Sequence, residues 1–152
     1  MKFIEPVFSF IKDSSKVYYS TLEGGINFSQ TGYPDFIRRV WGVSNIESWG
    51  RWSDARLSPT VKFQFKKYLP KNFILDLKMG AYGENIGKDT LIKVGNSIKR
   101  VKILSSKPKV YSLNFEGINS NIIELIPPIP QSPPKDGRKL GISFIYLKVR
   151  YY

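Results

Sequence analysis

From Pro59 onward the chain alternates. Val61, Phe63 and Phe65 are separated by Lys62, Gln64 and Lys66, and Phe73, Leu75, Leu77 and Met79 by Ile74, Asp76 and Lys78. A period of two puts one set on each side of a pleated strand, so one face can be buried while the other stays wet. Shorter runs follow at 90–94, 98–104, 109–115 and 121–126; in the third of these Tyr111, Leu113 and Phe115 share a side. A long closing run, 140–151, places Ile145, Leu147, Val149 and Tyr151 on one face. The intervals carry turn chemistry: Leu-Pro-Lys-Asn at 69–72, Gly83 to Gly87, Gly-Asn-Ser at 95–97, Lys107-Pro108 and Gly117 to Ser120. Such short breaks join antiparallel neighbours, because parallel strands need long crossovers. The pattern therefore predicts an all-β fold, an antiparallel β-sandwich of eight or more strands, jelly-roll-like. The only helix candidate lies near 34–41, where Pro34 suits a first turn and Gly42 a stop.

A chain of 152 residues is one domain's worth, so residues 1–152 are read as a single sandwich. Residues 1–20 are expected to add a peripheral strand. The proline-rich stretch within 127–137 has the composition of a linker. The single apolar strand after it could not fold alone, so the stretch is read as a stiff surface loop.

Two zeros in the composition exclude much chemistry. Without cysteine there are no disulfides, thiolate nucleophiles or Cys-based metal sites; without histidine there is no Ser-His-Asp relay, imidazole zinc ligand or imidazole proton shuttle. Carboxylate pairs remain available, Glu47 with Asp54 or Asp76 with Glu84, though acids fall at such spacings by chance. No catalytic residue, metal or cofactor is assigned. No window reaches the apolar length of a membrane span, and the N-terminus is a poor export signal because Glu5 and Pro6 interrupt its apolar run. The expected compartment is the cytoplasm as written, or the periplasm if the chain belongs to a larger membrane-anchored protein.

The net charge is +12, and between Lys62 and Lys109 twelve basic residues face three acidic ones. That field either attracts an anionic partner or is a solvated set of lysines guarding sheet edges. The basic residues lack the aromatic interleaving of single-strand nucleic-acid binders, so nucleic acid is the less favoured partner.

The densest constellation is Glu-Ser-Trp-Gly-Arg-Trp-Ser-Asp at 47–54. On an extended chain Trp49, Arg51 and Ser53 take one face, and Gly50, Trp52 and Asp54 the other. One tryptophan would then enter the core while the other accompanies Arg51 outward. Indole, guanidinium and carboxylates together suit a carbohydrate, with the ring against its C–H face and the charges on its hydroxyls. They equally suit a buried brace in which Arg51 pairs with Glu47 or Asp136. A glycine-rich loop, 80–89, offers Glu84, Asn85 and Asp89 as oxygen donors but lacks the spaced acids of an EF-hand. A third group, Asp136-Gly-Arg138, leads into the closing strand. The candidate ligand-binding set is Glu47, Trp49, Arg51, Trp52 and Asp54, with Asn85, Asp136 and Arg138 in support.

These strings occur with Gly-Ile-Asn-Phe-Ser at 25–29, Gly-Tyr-Pro-Asp-Phe at 32–36, Gly-Glu-Asn-Ile-Gly at 83–87, Ile-Pro-Pro-Ile-Pro-Gln-Ser-Pro at 126–133 and Asp-Gly-Arg-Lys-Leu-Gly-Ile at 136–142. In that order, over roughly residues 17–150, the chain resembles the C-terminal β-sandwich domain of bacterial phosphoglycerol transferase I. Similar domains are appended to some surface-glycan glycosyltransferases. The resemblance implies a non-catalytic accessory module, since the family's chemistry is expected in a separate membrane-anchored domain that uses metal-bound Asp and His. It implies a carbohydrate partner, anionic glycans included, and a membrane-bound transferase as a second partner. The alternative is a structural domain that docks on such a transferase.

Overall fold

The computed structural model describes residues 16–152. Its strands, in chain order, are β1 (Val17–Tyr18), β2 (Ile26–Asn27), β3 (Tyr33–Pro34), β4 (Ile37–Trp41), β5 (Arg51–Asp54) and β6 (Val61–Phe65). They continue with β7 (Phe73–Ala81), β8 (Asp89–Val94), β9 (Ser97–Lys102), β10 (Lys109–Phe115), β11 (Ile122–Ile126) and β12 (Leu140–Tyr151). Two five-stranded sheets form. The first runs β10-β7-β12, with β5 and β2 also paired to β12; the second runs β4-β6-β11-β8-β9. Every ladder within them is antiparallel. The fold is the all-β antiparallel sandwich that the alternation predicts.

The apolar faces meet as the period of two requires. Phe63, Phe73, Leu75, Leu77 and Met79 are completely buried, and Val61 and Phe65 nearly so. Rings from both sheets interlock: Phe28, just after β2, lies 5.7 Å from Phe63 on β6 and 5.1 Å from Phe144 on β12. Phe63 meets Phe144 edge to face at 6.0 Å. Each such ring stabilises the fold by about 1.5–3 kcal/mol relative to exposure.

Three local expectations change. Residues 37–41 are strand β4, not helix, because the β4 backbone pairs with β6 and the Phe36 ring stacks on Phe65 at 5.7 Å. Pairing to an existing sheet outweighs a weak helix start of one or two turns. Second, the closing strand does not keep one parity. Its register shifts between Phe144 and Tyr146, so Ile142 and Phe144 enter the core before the shift and Leu147 and Val149 after it. Ile145 therefore leaves the face it was expected to share, whereas Tyr151 keeps the parity of Leu147 and Val149, opposite the buried Phe73, and is 54% exposed only because it ends the strand. A bulge adds one residue to one strand and reverses what the next residues face. Third, β1 pairs with β3 in parallel. The outer strand expected over residues 1–20 lies mostly outside the described residues; within the described part of that range, Val17–Tyr18 form β1.

The proline-rich stretch is tied down at its end. Gln131 and Leu140 exchange backbone hydrogen bonds of 2.9 and 2.8 Å. The basic residues of 62–109 spread over strands of both sheets, with Lys99, Arg100 and Lys102 exposed on the edge strand β9. Charges at such a place discourage edge-to-edge association.

Because Phe144 bridges the sheets, Phe144→Ala should lower the unfolding free energy by about 3–5 kcal/mol. Val110→Ala, on a half-exposed side chain of the edge strand, should cost under about 1 kcal/mol. Urea unfolding followed by circular dichroism reads both.

Candidate functional site

The 47–54 segment opens with a tight reversal. The Glu47 N–H donates to the Gly50 carbonyl at 2.8 Å and the Gly50 N–H donates back at 3.2 Å, leaving Ser48 and Trp49 at the tip. Gly50 has φ 153°, and a Cβ there would sit 2.2 Å from the Phe144 carbonyl oxygen. Only glycine lets this turn press against β12. Beyond it, β5 runs along β12 with Arg51 opposite Phe144 and Trp52 opposite Ser143. Phe144 points into the core, so Arg51 does too, and Trp52 takes the outer face with Ser143.

Of the two readings of Arg51, the structure takes the buried brace, with partners other than those expected. It is 2% exposed. Its guanidinium lies 4.8 Å from the centre of the Tyr33 ring and donates to the carbonyls of Gln30 at 3.2 Å and Gly32 at 3.4 Å. It braces the loop before β3 and does not meet Glu47 or Asp136. The indoles are outside: Trp49 and Trp52 are half-buried and belong to no part of the hydrophobic core. Trp49 meets Trp52 edge to face at 5.2 Å, and Trp52 meets Tyr82 the same way at 5.8 Å. Tyr82 follows the buried Ala81 that ends β7, so the alternation itself turns it outward; sequence reading ended that strand at Met79, two residues short.

A group of ion pairs is built on one motif used twice. In Asp54-Ala-Arg56 and Asp136-Gly-Arg138 the aspartate Oδ1 accepts the backbone N–H of the arginine two residues on, at 3.0 Å in both, and the guanidinium folds back onto the same carboxylate. Arg138 then reaches across to Glu47, Nη1 to Oε2 at 3.1 Å. Glu47, Asp136 and Arg138 thus come together, as does Asp54 with Arg56, a residue the sequence reading passed over although the repeated Asp-x-Arg spacing marks it. Arg138 holds the Asp136 carboxyl down to about 2, through its side chain first and its backbone N–H second. Burial works to raise Asp54, but hydrogen bonds from Arg56 and from the N–H groups of Lys139 and Arg56 outweigh it and hold the carboxyl below its usual value.

Asp54 is 1% exposed and Asn85 completely buried, so both act as braces. Asn85 Nδ2 donates to the carbonyls of Tyr82 and Ile129 at 2.8 and 2.7 Å, and its Oδ1 accepts the Ile129 N–H at 2.8 Å. It clips the proline-rich stretch to the short 3-10 turn Gly83–Asn85, directly under Tyr82 in sequence. The carboxylate pairs considered for catalysis are each tied to a separate partner: Glu47 to Arg138, Asp54 to Arg56, Asp76 to Arg150 and Glu84 to Gln131. Among the described residues no three carboxylates gather as a metal site would need. No helix among them is long and apolar enough to cross a membrane.

The architecture is a β-sandwich of the fold found in carbohydrate-binding modules. A mutant of CBM29-2, a family 29 carbohydrate-binding module, superposes with a TM-score of 0.52 at 16% identity, covering 84% of this chain and 89% of that one. The apo form of BiXyn10A CBM1 gives 0.52 at 12% identity, covering 88% and 100%. The chain itself belongs to the family described as "Domain of unknown function (DUF7024)", whose profile matches residues 10–151. It is also homologous to phosphoglycerol transferase I of Escherichia coli O139:H28 and of Shigella boydii serotype 18, 33% identical over 129 residues in each. That match takes in 80% of this chain but only 17% of the length of those transferases.

The depressed Asp136 carboxyl fixes a pH dependence. Its ion pair contributes stability above the ordinary aspartate pKa near 4 and loses it as pH falls towards 2, because the folded state holds the charged form. Thermal melts should therefore drop between about pH 4 and pH 2, and Asp136→Asn should drop less steeply over that window while starting lower at pH 7.

Proposed function

We propose that this chain is a non-catalytic accessory module that binds a cell-surface carbohydrate through the outer face bearing Trp49, Trp52 and Tyr82. One observation carries the reading: the two indoles of the 47–54 motif lie outside the core and are only half-buried. A sandwich that needed these rings for stability would have them inside, where Phe28, Phe63 and Phe144 already fill the space. Aromatic rings held edge to face present a rigid ridge, and sugars stack their C–H faces on such surfaces at little entropic cost.

The polar half of the site is Glu47, Asp136 and Arg138, with Arg56 beside them at 49% side-chain exposure. Their mutual hydrogen bonds fix the acceptors and donors before a ligand arrives, so hydroxyls meet preorganised partners. Arg51, Asp54 and Asn85 serve this surface by holding its loops in place. The carbohydrate-binding-module fold of the structural neighbours supports the reading.

A role beside a transferase has its own support. The homologous segment is a small part of the phosphoglycerol transferases, so in those chains it is joined to a much larger remainder. We assign the module to the same kind of glycan-directed work, with a membrane-bound transferase as its partner.

Calorimetric titration with a panel of neutral and acidic oligosaccharides tests the proposal. Binding to at least one glycan is expected, with Trp52→Ala weakening it tenfold or more and the melting temperature little changed. Absence of binding across the panel, or alanine variants that alter stability alone, would overturn it.

A further inference from the structure

A cleft of about 300 Å³ opens between residues 44–47 and the arginines of the two Asp-x-Arg turns. Among its lining residues are Ser44, Ile46, Glu47, Arg56, Leu57 and Arg138. The Ser44 backbone N–H donates to the Trp52 carbonyl at 2.9 Å, so one wall runs alongside the strand that carries the ridge. Ser44 is 6% exposed, and its buried hydroxyl has no hydrogen-bond partner among the described residues. Such an orphan is costly, and at a lining position a ligand can supply what the protein does not. Two further groups are left over. Glu47 gives Oε2 to Arg138, and Arg56 gives Nε and Nη2 to Asp54. Glu47 Oε1 and Arg56 Nη1 enter no hydrogen bond among the described residues. A Cβ at Gly137 would sit 3.2 Å from Arg56 Nη1, so the middle residue of one turn makes room for the arginine of the other.

We propose that this cleft is a subsite for one uncharged sugar unit, and that Glu47 turns acidic sugars away. Sugar as the ligand rests on the carbohydrate reading above; its charge follows from the groups in the cleft. Two guanidiniums, Arg56 and Arg138, are held by three carboxylates, Asp54, Asp136 and Glu47, which leaves one negative charge over. A chain of net charge +12 thus carries a local site of the opposite sign. A sugar hydroxyl donates and accepts at once, so it can give its proton to Glu47 Oε1 while accepting from Arg56 Nη1 or the Ser44 hydroxyl. A carboxylate only accepts, and it would meet the Glu47 oxygen as a like charge in a partly desolvated cleft. It could recruit Arg138 only by displacing the bonds to Asp136 and Glu47. Ile46 and the exposed Leu57 add apolar surface for the C–H face of the ring. The volume lies at the small end of ligand sites, which suits one ring rather than several.

Titration of the folded protein at fixed ionic strength, followed by amide chemical shifts, tests this with three matched pairs: glucose and glucuronate, galactose and galacturonate, mannose and mannuronate. At least one neutral sugar is expected to shift Ser44, Ile46 and Leu57 saturably, and its uronate to bind at least fivefold more weakly. Glu47→Gln should bring that uronate within twofold of its parent. Glu116→Gln removes the same charge outside the cleft and should leave the preference as it was. Ser44→Ala should weaken the neutral sugar at least threefold without lowering the melting temperature. A uronate that binds the unaltered protein as tightly as its parent, or equal rescue by Glu116→Gln, would overturn the proposal. So would the absence of saturable shifts with all three neutral sugars, or cationic glucosamine binding tenfold more tightly than glucose. A longer glycan whose binding needs Trp52 but leaves Ser44, Ile46 and Leu57 unshifted would sink the subsite while the ridge stands. Loss of both is the failure of the carbohydrate reading itself.

Discussion

Strand β12 is hydrogen-bonded along both edges, and the packing of Phe144 between Phe28 and Phe63 fixes which way each of its residues faces. That one constraint propagates outward. With Phe144 inside, its partner Arg51 must be inside and Trp52 must be out. The Gly50 turn presses on the Phe144 carbonyl and so sets where Trp49 stands beside Trp52. Ser53 completes the arrangement: its hydroxyl accepts the N–H groups of both Gly141 and Ile142, at 3.1 and 2.8 Å, where the β5–β12 register slips. Two buried donors that the slip takes out of the regular ladder are satisfied by one side chain.

Much of the architecture was legible because alternation is a direct imprint of a half-buried strand. The Val61 and Phe73 runs, and the faces of Tyr111, Leu113 and Phe115, follow from it without any tertiary information. What escaped was everything decided by contacts between distant segments. Residues 37–41 carry a weak helix start that pairing with β6 overrides. The bulge near Ile145 has no composition signal, yet it reverses the parity of half the closing strand. At the site, the motif of 47–54 stood out for its residue types, but alternation alone could not say which face met the core. Phe144 decided that from more than ninety residues away in sequence.

Charge divides along the same line. The run of lysines between 62 and 109 is conspicuous in sequence, and the fold scatters it over two sheets, where much of it sits on solvent-facing edges. Arg56, Arg138 and Arg150 each hold a carboxylate, and the twin Asp-x-Arg turns tie down the loops after β5 and before β12.

The central claim is that the indole ridge is a ligand surface rather than part of the core. Intrinsic fluorescence of a Trp41→Phe protein reports on Trp49 and Trp52 alone, and titration with a glycan that binds by calorimetry tests the claim most directly. A saturable blue shift in emission, with the same midpoint as the calorimetric curve, is the result the account requires. Emission that stays unchanged while the glycan binds would place the sugar elsewhere and contradict it.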